Sequence, residues 1–269
     1  MKMYMYQNLR RCSLWVAASV SMSVGGCGGG DAPAGPDAGA PAEGPAYADV
    51  VVNAPGAGER DFGDPGLAVN GVRGGGVEQG SVDVYSLGTS TGEDGPADHT
   101  LTLAWSGRVV INEPGIDFVV FENPFATELD VHHFIEAAVV EVSRDGQSWV
   151  AMPHDYTADD ETVYVDDPTR WQGFAGVHPV LLHEEDNPVD PMDPALAGGD
   201  GFDLADLPDD GGEAEAIKRE GFSYLRIVTA TTRQNPDTGA PFPTSVIAGG
   251  PDIDGVYARS FRPLDNETP

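Results

Sequence analysis

The sequence predicts an all-β protein, with strands packed as a β-sandwich or jelly roll and joined by long acidic loops. Short segments rich in β-branched and aromatic residues recur along the chain. Gly and Pro residues separate these segments, and 35 Gly and 22 Pro are spread through the 269 residues. Helical periodicity is nearly absent. Many short strands with Gly- and Pro-rich turns are typical of sandwiches and jelly rolls.

The predicted strands are recognised by their side-chain pattern. Leu101, Leu103 and Trp105 alternate with Thr100 and Thr102, which is the two-residue period of a half-buried strand. Other segments share the enrichment in β-branched or aromatic residues, and they are 47–53, 81–87, 108–112, 116–121, 137–143, 148–152, 162–165, 222–228 and 255–259.

Two local signals refine this pattern. Asp145-Gly146 lies between the segments 137–143 and 148–152, so the sequence predicts a hairpin with a tight primed turn there. Residues 211–221 favour one or two helical turns that end at Gly221.

The first 26 residues have the layout of a signal peptide. The basic residues Lys2, Arg10 and Arg11 precede the apolar segment 13–24, which is too short to span a bilayer. The sequence VGGC follows and resembles a bacterial lipobox, so we predict a lipoprotein signal peptide over 1–26 and lipidation of Cys27. An ordinary secretory signal with an incidental cysteine is the alternative.

The composition changes twice along the rest of the chain. Residues 27–46 are rich in Gly, Ala and Pro and predict a flexible tether, whereas aromatic and β-branched residues begin near Tyr47. We therefore predict a single β-sandwich domain over 47–269. The expected location is the cell envelope, with the lipid anchor in a membrane. Gly28, rather than Asp, after Cys27 favours the outer membrane or the cell surface.

The formal net charge of −30 limits the kinds of partner that the chain can bind. Such a chain repels nucleic acid, which is excluded as a partner, and it attracts cations. The charge also keeps a surface protein soluble, and that reason alone would suffice.

Several phrases resemble a family of bacterial surface lipoproteins and secreted proteins. The most specific are FENPF (121–125) and AGGDGFDLAD (197–206). VSRDGQSW (142–149) and YLRI (224–227) are also similar to phrases of discoidin-type, galactose-binding-like jelly rolls, which implies that fold. The resemblance implies no particular reaction.

The resemblance also implies a disulfide that this chain lacks. The pattern places one Cys after Pro153 and another before Ala175, and this chain has His154 and Phe174 at those two places. We infer that packing replaces the covalent bond.

The stretch 187–206, NPVDPMDPALAGGDGFDLAD, concentrates acidic residues without Lys or Arg. Carboxylate and amide oxygens in a Gly-rich loop suit Ca²⁺, which prefers six to eight oxygen ligands. The spacing matches neither an EF-hand nor a full GGxGxD calcium repeat. A solvated acidic loop is therefore the open alternative to a calcium site. The candidate ligands are Asn187, Asp190, Asp193, Asp200, Asp203 and Asp206, with Asp117, Glu122 and Asp254 as additional ligands if they converge on the loop.

Other catalytic or metal patterns are weak. His178 and His183 hint at zinc, but their spacing matches no zinc signature, and an exposed polar loop explains them equally well. No GxSxG, P-loop or Rossmann motif occurs.

The sequence favours a non-catalytic, lipid-anchored binding or structural module that calcium stabilises and that has a glycan or a surface protein as partner. The alternatives are an extracytoplasmic hydrolase with paired carboxylates and a purely structural envelope protein.

Overall fold

The computed structural model describes residues 46–58, 61–89, 99–127 and 132–264. The predicted signal peptide 1–26, Cys27 and the predicted tether up to residue 45 lie outside the described residues. In the described ranges, no helix is both long and apolar enough to cross a membrane. The predicted domain boundaries stay predictions.

Strands make up most of the regular structure. They are β1 (Val50–Asn53), β2 (Tyr85–Ser86), β3 (Thr100–Ala104), β4 (Arg108–Val110), β5 (Phe118–Glu122), β6 (Phe125–Thr127), β7 (His132–Phe134), β8 (Ala138–Ser143), β9 (Val150–Ala151), β10 (Asp155–Tyr156), β11 (Trp171–Gln172), β12 (Asp200–Phe202), β13 (Tyr224–Thr229), β14 (Asp252–Ala258) and β15 (Phe261–Pro263). The α-helices of the described residues are α1 (Pro194–Ala197) and α2 (Glu213–Glu220). Helix α2 falls within the helical segment that the sequence predicts.

Among the described residues, the strands form two main sheets. The five-stranded sheet has the order β1-β3-β13-β8-β9, and the four-stranded sheet has the order β12-β5-β14-β2. The pairings in both sheets are antiparallel. The pairs β4–β15, β6–β7 and β10–β11 are two-stranded. The predicted all-β fold class is confirmed.

The two main sheets share one apolar core. Leu103 and Leu225 come from the five-stranded sheet, and Phe118 and Val256 come from the four-stranded sheet. Phe202 of β12 stacks on Phe118, with ring centroids 5.1 Å apart. Since successive residues of a strand point to opposite faces, the neighbours of Leu225 in β13 point away from this core.

A second apolar cluster packs against one end of the outer face of β8. It contains Val139, Tyr156, Trp171, Phe174 and Phe242. The ring of His154 meets Phe174 edge to face at a centroid distance of 5.0 Å. These are the two positions at which the resemblance implies a disulfide. The replacement of a disulfide by packing at these positions stays a prediction.

Two local predictions need correction. Strands β8 and β9 do form a hairpin, but six residues connect them and only Gly146 has a positive φ, so the turn is not a tight primed one. Asp145 shapes the longer turn by accepting hydrogen bonds from the backbone N–H groups of Gln147 and Ser148. The segment 162–165 is not a strand. It lies against the second cluster, where the carbonyl of Val163 accepts from the Tyr156 hydroxyl.

Candidate functional site

The acidic stretch 187–206 is more regular than a loop wrapped around an ion. It contains α1, strand β12 and a 3-10 helix (Leu204–Asp206). Asp193 caps α1 by accepting from the N–H of Ala195, and Asp203 caps the 3-10 helix by accepting from the N–H of Ala205. Asp residues at N-caps satisfy backbone N–H groups that have no partner within the helix.

The remaining predicted ligands of this stretch have similar roles or face solvent. Asp190 accepts from the N–H of Met192, and the Asn187 side chain donates to the carbonyl of Leu181. Asp206 is exposed. Asp200 is buried, where it accepts from the N–H of Val177 and from Nδ1 of His178 at 2.7 Å.

The additional ligands that the sequence proposes are all buried and do not join into one site. Asp117 accepts from the N–H groups of Glu113 and Leu204, and Asp254 accepts from the N–H of Arg73. Burial raises the pKa of Asp117 to about 6 and that of Asp254 to about 7. Oε1 of Glu122 accepts from the N–H of Asp252 at 2.8 Å.

The described residues contain no group of three His, Cys, Asp or Glu side chains that could hold a metal ion. His178 and His183 contact different partners, because His178 pairs with Asp200 whereas Nδ1 of His183 lies 3.2 Å from the N–H of Asp186. Calcium therefore stays a prediction from the sequence, and capping already accounts for Asp193 and Asp203.

A groove lies on the outer face of the five-stranded sheet, away from the shared core. Arg226 of β13 stands opposite Thr102 of β3 on one side and Glu141 of β8 on the other. Because antiparallel partners present their side chains on the same face, these three form a row across the sheet. The groove has a volume of about 540 Å³, and its walls include Thr102, Arg226, Trp149 and Tyr224.

A network of charges fixes the floor of this groove. The guanidinium of Arg226 lies over the ring of Trp149, 4.1 Å from its centroid. Nε of Arg226 donates to Glu141 at 2.6 Å, and Nη2 of Arg233 donates to the other oxygen of the same carboxylate at 2.8 Å. A planar guanidinium held by a carboxylate and a ring keeps one orientation.

The rim of the groove adds acceptors and hydroxyl groups. Asp145 borders it, and hydrogen bonds from the N–H groups of Ser148 and Gln147 lower the pKa of Asp145 to about 2. Thr100 and Asn53 border the other side. This arrangement can bind a polyol with apolar faces. The aromatic ring contacts the apolar faces, and the guanidinium, hydroxyl and carboxylate groups form hydrogen bonds with the hydroxyl groups of the ligand.

Sequence reasoning missed this groove, although two of its motifs contain the residues. Trp149 and Asp145 belong to VSRDGQSW, and Tyr224 and Arg226 belong to YLRI. The available signal was the alternation within YLRI, in which Tyr and Arg share the face opposite Leu and Ile. Only the pairing of β13 with β8 brings the two motifs together.

Searches against protein-family models, curated proteins and solved structures found no match. The resemblance to surface lipoproteins and to galactose-binding-like jelly rolls therefore stays a prediction, and the geometry of the site is the basis for the function.

Proposed function

We propose that this protein is a lipid-anchored binding module of the cell envelope, and that the groove on its five-stranded sheet binds a neutral glycan. In this proposal the β-sandwich is a galactose-binding-like jelly roll, and residues 27–46 carry it away from the membrane. Calcium stabilisation is kept as a prediction from the sequence only.

The observation that supports the proposal is the position of Trp149 beside Arg226 in an open, polar groove. Pockets of a few hundred to about 1,000 Å³ that combine apolar walls with a few oriented polar groups are usual for small ligands. Sugars fit this combination because their C–H faces pack on rings while their hydroxyl groups pair with Arg, Asp and Thr side chains. The carboxylates of Glu141 and Asp145 together balance the charges of the guanidinium groups of Arg226 and Arg233, and this balance favours a neutral ligand.

A flat protein partner fits the groove less well. Stable protein interfaces bury on the order of 800 Å² on each partner and centre on desolvated aromatic or Arg anchors. Here Trp149 is half-buried at the side of a concave groove, and its contact with Arg226 is internal to the chain.

A hydrolase has less support from the geometry than a binding protein. Glycoside hydrolysis needs one protonated and one ionised carboxyl group on either side of the bond. In the binding groove, Asp145 has a low pKa and sits in an exposed turn, and Glu141 is engaged by two arginines. Neither residue is arranged as a general acid, so the hydrolase stays a weaker alternative.

The glycan proposal is tested with an array of neutral and acidic polysaccharides. We expect the full chain to bind at least one neutral glycan. Trp149→Ala should weaken that binding at least tenfold, since stacking on the ring is lost. Leu196→Ala, which removes an exposed apolar side chain elsewhere, should leave it unchanged. Binding to no glycan, or equal binding by Trp149→Ala, would count against the proposal.

The anchor is tested separately with Cys27→Ala. We expect the wild-type protein in the membrane fraction of the producing cells and the variant either in the soluble fraction or unprocessed. The physical reason is that stable attachment requires two or more acyl chains, and the variant cannot carry them. Metabolic labelling with a fatty acid checks the modification, and a labelled Cys27→Ala protein would contradict this part of the proposal.

A further inference from the structure

A second groove, which we call the acidic groove, lies where β5 ends and β14 begins. Its volume is about 490 Å³. The residues that matter for its chemistry are three acids and three aromatic residues, namely Asp61, Glu136, Asp252, Phe62, Phe125 and Phe134. No Lys, Arg or His is among the described residues that line it. The glycan groove has different lining residues.

Backbone hydrogen bonds hold in place Glu136, which lines the acidic groove, and Glu122, which is buried next to Asp252. Oε1 of Glu136 accepts from the N–H of Gly250 at 2.8 Å. Oε1 of Glu122 accepts from the N–H of Asp252, also at 2.8 Å. Both glutamates are thus tied to the same short stretch, 250–252, and Asp252 itself belongs to that stretch.

Glu122 is a buried carboxyl group with one oxygen that lacks a hydrogen-bond partner. The side chain is fully buried, and its Oε2 is among the few buried side-chain atoms of the described residues that have no hydrogen-bond partner. That atom lies beside Gly176 and is not part of the lining of the acidic groove. A Cβ built on Gly176 would lie 3.0 Å from Oε2 of Glu122 and 2.6 Å from the carbonyl oxygen of Glu136. A buried polar atom without a partner costs free energy, and the cost of burying a charge favours the protonated form of Glu122.

The electrostatics agree with that interpretation. Burial, followed by the nearby carboxylate of Glu136, raises the pKa of Glu122 well above its ordinary value. Burial and the charge of Asp252 raise the pKa of Glu136 to about 7. Burial also raises the pKa of Asp252. Three crowded carboxyl groups with no basic residue among the described lining of the groove resist ionisation, and a bound cation would relieve this repulsion.

The aromatic residues indicate which kind of cation fits. Phe125 and Phe134 stack across the β6–β7 pair with ring centroids 4.9 Å apart. Phe62 is 45% exposed, and it is the non-glycine residue with a positive φ (57°) in the described ranges. Its exposed ring lines the groove and is accessible to a ligand. Aromatic faces attract organic cations, whereas they supply no oxygen ligand for a metal ion.

We propose that the acidic groove binds a ligand through an organic ammonium group. The ammonium group pairs with the carboxylates of Glu136 and Asp252, and the alkyl part of the ligand packs against Phe62, Phe125 and Phe134. The site is independent of the glycan groove, because the two share no lining residue. Failure of either proposal leaves the other standing.

The test is calorimetric titration of the full chain with n-butylammonium chloride, with 1-butanol as the neutral probe of the same shape. We expect saturable binding of n-butylammonium at pH 8 and none of 1-butanol at the same concentrations. Glu136→Gln should weaken binding at least tenfold, and Phe134→Leu should weaken it severalfold. Glu215→Gln removes an exposed charge on α2 and serves as the matched control, which should bind as the wild type does.

Proton release gives a second measurement that general attraction to an acidic chain would not produce. A bound ammonium group favours the ionised form of Glu136, so binding at pH 7 should release protons. The measured heat should then vary with the ionisation enthalpy of the buffer, and this variation should disappear in Glu136→Gln. Melting curves of Glu136→Gln and Phe134→Leu verify that these two variants are folded.

Three results would overturn the proposal. The first is equal binding of 1-butanol, which would make the groove merely apolar. The second is equal weakening by Glu215→Gln, which would indicate unspecific attraction by the net charge. The third is displacement of n-butylammonium by equimolar calcium chloride, which would make the groove a metal site.

Discussion

We expect the folded protein to be more stable at pH 5 than at pH 8. Burial raises the pKa of Asp254 and of Glu136 to about 7 and the pKa of Asp117 to about 6. In the unfolded chain these groups titrate near pH 4. The folded state therefore holds more protons than the unfolded state between about pH 4 and pH 7. By linkage, the free energy of unfolding falls as the pH rises through this window.

The size of the effect follows from the same shifts. A carboxyl group whose pKa rises to about 7 on folding contributes on the order of 2 to 3 kcal/mol between pH 5 and pH 8. His178, whose pKa the Asp200 carboxylate raises, changes stability in the same direction. The lowered pKa values of Asp145 and Asp160 belong to exposed groups and act in more acidic solution.

Denaturant unfolding at pH 5 and pH 8 measures the difference directly. Asp254→Asn should raise the stability at pH 8 and flatten the pH dependence, since an amide oxygen can still accept from the N–H of Arg73. Asp145→Asn should leave the dependence between pH 5 and pH 8 unchanged. Repeating the series in 0.5 M salt separates buried groups from the self-repulsion of a chain with net charge −30, because salt screens the latter far more. A protein more stable at pH 8 than at pH 5 would refute the assignment.

The second large effect is expected from Gly198→Ala. Gly198 ends α1 with φ 69° and ψ −157°, a region of backbone conformation that is essentially confined to glycine. A Cβ there would lie 1.8 Å from the carbonyl oxygen of Pro179. The next residue, Gly199, is similarly constrained, with a Cβ position 2.7 Å from the ring of Phe121. The two glycines of AGGD therefore let the connection from α1 to β12 pass close to Pro179 and Phe121.

We expect Gly198→Ala to lower the free energy of unfolding by more than about 3 kcal/mol, because strain and a steric clash add together. The matched control is Gly239→Ala. Gly239 also has a positive φ, of 68°, but open space surrounds its Cβ position, so the cost should be only about 1 kcal/mol. Thermal melting of the two variants compares them. Equal melting temperatures would show that the contact with Pro179 is not restrictive.

Much of the sheet framework follows from the sequence because it depends on local pattern. The alternation around Leu101 and Leu103 and the apolar run from Phe118 predict β3 and β5, and Gly221 marks the end of α2. These signals need only near neighbours.

In the acidic stretch 187–206, local signals do not predict the roles of the Asp residues or the presence of strand β12. An Asp that caps a helix and an Asp that binds Ca²⁺ have the same side chain and occur in similar turn sequences, so residue type cannot distinguish Asp193 or Asp203 as caps. Strand β12 escapes prediction because Asp200-Gly201-Phe202 has little strand propensity, and its pairing with β5 supplies the missing stabilisation.

Local sequence patterns could not predict either groove, for a related reason. Arg226 and Glu141 are 85 positions apart in the chain, and the pairing of β13 with β8 brings them together. Glu136 reaches Gly250 across 114 positions. A single sequence carries no signal for such long-range contacts, and the motifs mark the residues without indicating which of them meet.

The most direct test of the proposed function is a fluorescence titration of Trp149 with the neutral glycan that the array identifies. Trp105 and Trp171 are buried, so a ligand in the groove should change the emission of Trp149 alone in the described part of the chain. We expect a saturable change in the wild-type protein that Trp149→Phe abolishes and Arg226→Lys weakens. A glycan that binds without changing this emission, or a change that persists in Trp149→Phe, would contradict the assignment of the groove.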